Sequence, residues 1–253
     1  MLAKQRRRKI ANIVREQGEA TTSELSERFS VSEITIRKDL EKLAEQGMIE
    51  RAHGGAVKQE STVTEPSHEE KASARMDEKK KIGEKAATLI EEDSTILLGN
   101  GTTTSQIIPH LQGKENLTAI TNSLNNALKI FNLPDVRLSI VGGDARKKNY
   151  ALIGPLAQEC FNHIYVDQLF LGVDGISLEQ GLTTPTLMEA KICEKMIKVA
   201  EEVIVVADHS KFGRVVHGKI ADMDAVDRIV TDANLEEDSR RVLEELKVEY
   251  IQV

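Results

Sequence analysis

A Gly- and Thr-rich segment in the middle of the chain has the composition of an anion-binding loop. It reads Gly99-Asn100-Gly101-Thr102-Thr103-Thr104-Ser105, follows an apolar run and opens a helical pattern. Glycines let backbone N–H groups approach an anion, hydroxyls add donors, and a helix N-terminus adds positive potential. The sequence therefore predicts phosphate binding at Gly99, Gly101, Thr102, Thr103 and Thr104. A Ser/Thr-rich helix cap is the alternative. The Walker pattern is missing, and the dinucleotide pattern G-x-G-x-x-G is not completed.

Small polar residues and glycines also follow the other predicted strands. Because ligands bind at the carboxyl ends of parallel strands, these residues predict one pocket for a small, hydroxylated anion. Lys211 supplies a cation for phosphate, and Asp174 accepts hydrogen bonds from hydroxyls. The segments are Thr121-Asn122-Ser123, Gly142-Gly143-Asp144, Gly172-Val173-Asp174-Gly175 and Ala207-Asp208-His209-Ser210-Lys211-Phe212, from which Thr121, Asn122, Gly142 and Gly143 complete the predicted binding set.

The sequence gives weaker signals for catalysis than for ligand binding. The chain contains no G-x-S-x-G, H-E-x-x-H or C-x-x-C pattern. His209, next to Asp208 and Lys211, has the chemistry of a general acid or base, but a phosphate-binding or structural role is favoured. We expect no catalytic residue, no metal and no cofactor.

The elements that must position this pocket alternate between short apolar strands and helices. Such alternation predicts an α/β domain with a parallel, doubly wound sheet. The predicted strands are Thr95–Leu98, Leu117–Thr121, Arg137–Val141, Gln168–Val173, Val203–Ala207, Arg228–Thr231 and Glu249–Val253, and the predicted helices are Thr103–Leu111, Ser123–Phe131, Pro155–Ile164, Thr186–Val199 and Glu236–Leu246.

The N-terminal residues predict a different module, a helix-turn-helix. A first helix over residues 4–17 ends at Gly18, Thr22 or Ser23 caps the second, and Ser30-Val31 makes the turn before the third. At about 100° per residue, Ile36, Leu40, Leu43 and Gly47 form the buried stripe of the third helix. Its predicted DNA contacts are Ser32, Glu33, Ile34, Thr35, Arg37 and Lys38.

The same angular pattern predicts that Ile34 is an exposed apolar residue in the first turn of this recognition helix. It is either a contact for a thymine methyl group or an ordinary surface isoleucine, and the sequence leaves both open.

A Gly-rich hairpin after these helices predicts a winged helix-turn-helix. Residues 48–52 and 56–58 form the two wing strands, with Gly54-Gly55 at the turn. Arg51, His53 and Lys58 are predicted to flank the DNA, although His53 is equally consistent with an ordinary turn residue.

Charge is divided unequally along the 253 residues. Residues 1–58 carry 12 basic and 9 acidic side chains, whereas the remainder carries 22 and 32. This asymmetry indicates that phosphate-backbone contact is confined to the N-terminal module. Residues 59–70 lack periodicity and contain Pro66, so the predicted domains are 1–58 and 71–253, joined by a linker over 59–70.

Composition favours a soluble cytoplasmic protein. Apolar residues make up 40% and charged residues 30%, no run of eighteen apolar residues occurs, and the basic N-terminus lacks the apolar stretch of a signal peptide. Cys160 and Cys193 are isolated, as expected for buried thiols in a reducing compartment.

Taken together, these motifs resemble the DeoR family of bacterial sugar-metabolism regulators along nearly the whole chain. The matching segments are Val31-Ser32-Glu33-Ile34-Thr35-Ile36-Arg37-Lys38-Asp39-Leu40, His53-Gly54-Gly55-Ala56, Gly101-Thr102-Thr103-Thr104, Thr121-Asn122-Ser123, Gly142-Gly143, Leu171-Gly172-Val173-Asp174-Gly175 and Asp208-His209-Ser210-Lys211-Phe212. The resemblance implies a cytoplasmic homo-oligomer, dimer or tetramer, usually a repressor, that binds double-stranded operator DNA and responds to a phosphorylated sugar. One departure is Leu98-Gly99-Asn100, where the family commonly has an acidic residue.

The resemblance also implies a sensor domain similar to ribose-5-phosphate isomerase, which supplies an alternative function: a sugar-phosphate isomerase or deaminase with an appended DNA-binding module. Those enzymes carry the pattern Asp-Gly-Ala-Asp, whereas this chain reads Asp174-Gly175-Ile176-Ser177 and lacks the second carboxylate. Glu189 corresponds to the general base and is predicted to bind effector. A constitutive DNA-binding protein with an oligomerising C-terminal domain is the third hypothesis.

Overall fold

The chain folds as two units, Met1–Glu65 and Pro66–Val253. The computed structural model describes residues 3–45, 49–52, 54–57, 65–246 and 248–253. The N-terminal unit contains helices α1 (Ala3–Gln17), α2 (Thr22–Phe29) and α3 (Glu33–Glu45) and strands β1 (Glu19–Thr21), β2 (Glu50–Ala52) and β3 (Gly55–Val57).

The three helices enclose a small apolar core in which Ile10, Leu25 and Ile36 are fully buried. The predicted stripe of α3 is confirmed for Ile36, Leu40 and Leu43, while Gly47 lies outside the described residues. The predicted cap of α2 is wrong by one or two positions. Thr21 is the N-cap, because its hydroxyl accepts from the N–H of Glu24 while the Glu24 carboxylate accepts from the N–H of Thr21.

The wing is a three-stranded antiparallel sheet in the order β1–β3–β2. Strand β1 was not predicted, because three residues are too short to show a period. Gly54 has a φ of +83°, as a tight turn requires, but Gly55 belongs to β3. A Cβ on Gly55 would lie 2.4 Å from the carbonyl oxygen of Ala20, so glycine permits the close approach of β1.

The seven strands predicted for the C-terminal unit form one parallel sheet, which confirms the α/β fold. They are β4 (Thr95–Leu98), β5 (Thr118–Thr121), β6 (Arg137–Ile140), β9 (Val166–Leu171), β12 (Ala200–Val206), β14 (Arg228–Thr231) and β15 (Glu249–Gln252), in the order β15–β14–β12–β9–β4–β5–β6.

Alternate residues of the central strands enter two separate cores, one on each face of the sheet. Leu97 and Leu169 pack on one face, whereas Ile96 and Phe170 pack on the other. Helices α5 (Met76–Ala87) and α6 (Leu124–Phe131) cover the second face, and α7 (Pro155–Cys160), α8 (Leu187–Lys198) and α9 (Glu237–Glu245) cover the first. The sheet is therefore doubly wound.

The predicted helix over Thr103–Leu111 is wrong. The structure has two 3-10 turns there, Thr104–Gln106 and Ile108–His110, because Pro109 has no N–H to continue an α-helix. The sequence also missed short antiparallel strands above the sheet. These are β7 (Asp144–Arg146) with β8 (Ala151–Ile153), and β10 (Gly175–Ser177), β11 (Gly181–Thr184) and β13 (Gly218–Ala221).

The predicted linker overlaps a helix. Helix α4 (His68–Ser73) begins inside it, with Ser67 and Glu70 forming a capping box, and residues 59–64 lie outside the described chain. Helix α4 ends at Ser73, and Arg75, whose φ is +52°, separates it from α5. The Tyr150 hydroxyl donates to Glu69 at 2.9 Å, so α4 is held against the β7–β8 loop.

Among the helices that the structure describes, none is long and apolar enough to cross a membrane. Cys160 and Cys193 are free thiols and are partly buried rather than fully buried. Burial, with Glu189 and Asp174 nearby, raises the pKa of the Cys193 thiol to about 12.

A buried ion pair joins α1 to the recognition helix. Asp39 is 3% exposed, and its carboxylate accepts from Arg6 Nε at 2.6 Å and from Arg7 Nη1 at 3.2 Å. The pair fixes α3 against α1.

We expect Asp39→Ala to lower the free energy of unfolding of the N-terminal unit by about 3–5 kcal/mol, since it leaves buried guanidinium charge unpaired. The matched control is Glu33→Ala, which removes an exposed pair to Arg37 and should cost less than about 1 kcal/mol. Urea denaturation followed by far-ultraviolet circular dichroism measures both, and equal losses would contradict the prediction.

Lys79 closes the junction between α4 and α5. Its buried ammonium donates to the carbonyl oxygen of Lys71 and, at 2.7 Å, to that of Ala74. Burial lowers the pKa of Lys79 to about 8. Nearby Asp208 opposes this shift, and the cations Lys211, Arg75 and Lys71 add to it.

Between pH 8 and the ordinary lysine pKa, the unfolded chain binds more protons at Lys79 than the folded chain. Stability must therefore rise with pH across this window. We expect the free energy of unfolding of the native chain, relative to Lys79→Met, to increase from pH 8 to pH 10 in urea titrations. Lys80 is exposed on the same helix, so Lys80→Met is the control. A difference between native chain and Lys79→Met that does not change with pH would refute the prediction.

Candidate phosphate-binding site and DNA-contact surface

The chain reverses its direction of winding between β4 and β9, which are neighbours at the centre of the sheet. The connection from β4 leads outward to β5 and β6, whereas the connection from β9 leads to β12, β14 and β15 on the other side. Ligands of such sheets bind in the crevice at this point. The loop after β4 and the loop after β9 therefore form the candidate site.

The loop after β4 is held by its own hydroxyls. Thr104 Oγ1 donates to the carbonyl oxygens of Gly99 at 2.8 Å and Gly101 at 3.0 Å. Gly99 donates its N–H to Phe170 on β9 at 3.0 Å. Gly101 and Thr102 are half-buried and Thr103 is buried. The loop thus presents Gly101, Thr102 and Thr103 at the start of the first 3-10 turn.

Three of the predicted ligand residues also support this loop. Thr104 and Thr121 are fully buried, and the Thr121 hydroxyl donates to the carbonyl of Leu98 at 2.7 Å. Asn122 accepts from the N–H of Asn100 at 3.1 Å and donates to the carbonyl of Leu152. These hydrogen bonds within the protein fix the shape of the loop.

The predicted glycines after β6 have different surroundings. Gly143 has a φ of +136°, and a Cβ there would lie 2.5 Å from the carbonyl oxygen of Ile153. It therefore permits β7 to pack on β8. Gly142 has open space where a Cβ would lie.

Acidic residues at the strand ends are paired with cations from α4 and its junction with α5. Asp174 accepts from Lys71 Nζ at 2.6 Å, and Arg75 Nε lies 3.9 Å from Asp208. Lys211, half-buried, ends the 3-10 turn that follows Asp208. Lys71 and Arg75 were not predictable as site residues, because nothing local to a charged helix shows which strand end it will contact.

Glu189 is a buried carboxylate with several donors. Thr186 Oγ1 donates to Oε2 at 2.8 Å, Asn149 Nδ2 donates to Oε1, and Arg146 Nη1 lies 3.8 Å from Oε1. After burial, the nearby charges of Glu189 and Asp174 both contribute to the raised pKa of the Cys193 thiol. A carboxylate held in this way suits acceptance of hydroxyl hydrogen bonds.

Ser177, which follows Asp174-Gly175-Ile176 in the sequence, has a structural role. Ser177 ends β10, and its hydroxyl accepts from the N–H of Gln180 in the hairpin to β11. Within the described residues, no group of three or more His, Cys, Asp or Glu side chains converges as metal ligands do.

His209 is oriented by a buried aspartate. Its ring Nδ1 lies 2.9 Å and 3.1 Å from the two carboxylate oxygens of Asp232. The backbone N–H of His209 donates to the same carboxylate at 2.7 Å. Burial alone would raise the pKa of Asp232. The N–H donors of His209 and Asn234, together with the imidazole, outweigh it and lower that pKa.

The predicted DNA contacts on α3 form an exposed surface. Ile34 is 67% exposed, which the angular pattern predicted. Ser32, Glu33, Arg37 and Lys38 are exposed and Thr35 is half-buried. The Ser32 hydroxyl accepts from the N–H of Thr35 and thereby caps the start of α3. Arg51 on the wing donates to the carbonyl of Arg37 at 3.3 Å, while His53 and Lys58 lie outside the described residues.

Two family models match the chain. A DeoR-like helix-turn-helix domain matches residues 6–62, and the DeoR C terminal sensor domain matches residues 74–233. The glycerol-3-phosphate regulon repressor of Escherichia coli (strain K12) is 36% identical over 229 residues, which is 90% of each protein. The HTH-type transcriptional regulator GlpR of Haloferax volcanii is 33% identical over 251 residues, 99% of this chain and 98% of that protein.

Among solved structures, ribose 5-phosphate isomerase A from Methanocaldococcus jannaschii matches with a TM-score of 0.41 and 20% identity, over 55% of each chain. One family model matches most of each unit, and both named relatives align along nine-tenths or more of the chain. The chain therefore belongs to the DeoR family of transcriptional regulators.

Proposed function

We propose that this regulator represses a carbohydrate-utilisation operon and leaves its operator DNA when a phosphorylated sugar binds at the ends of β4, β9 and β12. One observation carries the proposal. An anion-binding loop and carboxylates that are paired with cations lie together at the strand ends where the direction of winding of the sheet reverses. A relative named for a glycerol-3-phosphate regulon supports a small phosphorylated effector.

In this proposal, the phosphate contacts Gly101, Thr102 and Thr103, and Lys211 neutralises its charge. The sugar hydroxyls meet Asp174 and Glu189. Effector binding changes DNA affinity only if it distinguishes two arrangements of the chain, since equal affinity for both shifts nothing. Lys71 pairs with Asp174, so a ligand at Asp174 acts directly on α4.

We further propose that residues 1–58 bind double-stranded DNA and residues 71–253 sense the effector, with residues 59–70 transmitting the change. The chain acts in the cytoplasm, on DNA and a small molecule, as a homo-oligomer. It is not an enzyme in this proposal. Ser177 in place of a second carboxylate, and the engagement of Glu189 by Arg146 and Asn149, support binding without turnover.

We expect Lys211→Met to bind operator with unchanged affinity but to need roughly tenfold more effector for release, because a charge-assisted hydrogen bond to phosphate is lost. Fluorescence anisotropy on DNA from upstream of the protein's own gene, with a panel of sugar phosphates, measures both quantities.

The control for this variant is Lys219→Met, since Lys219 is exposed and pairs with Asp222 three residues away. It should release DNA at the native effector concentration. An equal response of both variants would exclude Lys211 from the site, and binding that ignores every sugar phosphate would overturn the sensor proposal while leaving DNA binding intact. Ribose-5-phosphate turnover that is abolished by Glu189→Gln would establish the isomerase alternative.

We expect Ile34→Ala to weaken operator binding by roughly fivefold and to leave binding to unrelated DNA unchanged, because it removes apolar contact with a base edge. Lys38→Ala is the comparison variant. It should weaken binding to both DNAs and reduce the slope of affinity against salt by about one phosphate contact. An Ile34→Ala effect of the same size on both DNAs would assign Ile34 to backbone contact or to folding.

A further inference from the structure

Strand β6 forms one edge of the parallel sheet, and no strand in the described part of the chain pairs with its outer side. Arg137 donates its N–H to Leu117, and Val141 donates to Thr121, both at 2.9 Å. Because alternate residues of a strand point their N–H and C=O groups to opposite sides, Leu138 and Ile140 direct theirs away from β5. An edge of this kind is a template for another strand.

An exposed apolar stripe lies beside this edge. On α6, Leu124, Leu128 and Phe131 occupy positions i, i+4 and i+7, and the last two are 69% and 76% exposed. Lys129 donates to Ser105 at 2.5 Å and thereby marks the flank of α6 that faces the loop after β4.

The stripe occupies the opposite flank of the helix, because Asn126, Ala127 and Ile130 are buried between the two flanks. It therefore faces the edge of the sheet. Ile140 is exposed and shares the α6 face of the sheet with Leu138, two residues earlier on β6.

We propose that the α6–β6 surface (Leu124, Leu128, Phe131 and β6) is a two-fold interface with a second copy of this chain. Strand β6 pairs antiparallel with its own copy about Ser139, so that Leu138 lies opposite Ile140 and exchanges hydrogen bonds with it. A two-fold axis perpendicular to the sheet then places both α6 helices on one face, stripe against stripe.

Self-pairing is compatible with the charges of this edge. In the register centred on Ser139, each Arg137 lies opposite Val141, so no like charges meet directly. The three stripe positions are all apolar, and a two-fold partner supplies an identical apolar surface. Pairing of β6 with the opposite sheet edge, β15, would instead build open filaments.

The interface also suits the DNA-binding role of the family, since helix-turn-helix proteins read two half-sites as symmetric dimers. The proposal rests on the homo-oligomer proposed above, to which it gives an interface, and it does not depend on the identity of the effector.

The first test is the mass of the full-length chain by sedimentation equilibrium at micromolar concentrations. The native chain should have at least twice its monomer mass of 28.0 kDa, and Leu128→Glu and Phe131→Glu should each halve the native mass. The control is Tyr165→Glu, because Tyr165 is 87% exposed outside the surface, and it should keep the native mass. Circular dichroism and the midpoint of thermal unfolding establish that each variant is folded.

The second test needs no destabilising charge. With Cys160 and Cys193 replaced by Ala, Ser139→Cys should form an inter-chain disulfide on mild oxidation, since a directly opposed, non-hydrogen-bonded pair brings the two Cα atoms to about 4.5 Å. Arg137→Cys in the same background should not. A monomeric native chain, an assembly that survives both Glu substitutions, filaments, or the absence of the Ser139→Cys cross-link would overturn the proposal.

Discussion

The reversal of winding between β4 and β9 is the constraint on which the rest of the C-terminal unit depends. It places the loops after these two strands side by side at the carboxyl edge of the sheet, where Gly172 lies against the loop that contains Gly101 and Thr104. The loops cannot be loose, however, because an anion site requires backbone N–H groups in fixed directions. Thr104, Thr121 and Asn122 provide this rigidity by using their polar groups on neighbouring backbone atoms.

Charge at the strand ends is balanced by residues from far away in sequence. Asp174 and Asp208 follow β9 and β12, yet the cations that approach them, Lys71 and Arg75, come from the first residues of the unit. An excess of carboxylates alone would repel a phosphate. The cations of the α4–α5 junction offset this repulsion, and Lys79 holds that junction through two backbone carbonyls. The electrostatic potential of the site therefore depends on the position of α4.

The sheet was predictable from the sequence because strands buried on both faces read as continuous apolar runs. Strands β4 and β14 begin and end where the pattern predicts, and β12 begins only three residues earlier. Short antiparallel strands such as β7 and β10 were not predictable, since three residues show no period. The helix predicted after the anion-binding loop was wrong because of Pro109. The helical spacing of apolar residues suggested an α-helix there, although the proline argued against one. Lys71, Arg75 and Arg146 were missed for a different reason: only tertiary contacts bring them to the site.

The structure distinguishes polar residues that face the candidate site from polar residues that bond to the backbone behind it, and the sequence alone could not make this distinction. A Thr or Asn after a strand reads the same whether it faces a ligand or the backbone. In the structure, Thr104 and Thr121 are fully buried, whereas Gly101 and Thr102 are half-buried on the same loop. Because these hydroxyls donate to backbone carbonyls, they fix the conformation of the loop before a ligand binds. Little conformational entropy is then lost on association. Adaptation to a ligand is left to the long side chains around the loop, above all Lys71, whose partner Asp174 is itself a proposed contact of the sugar.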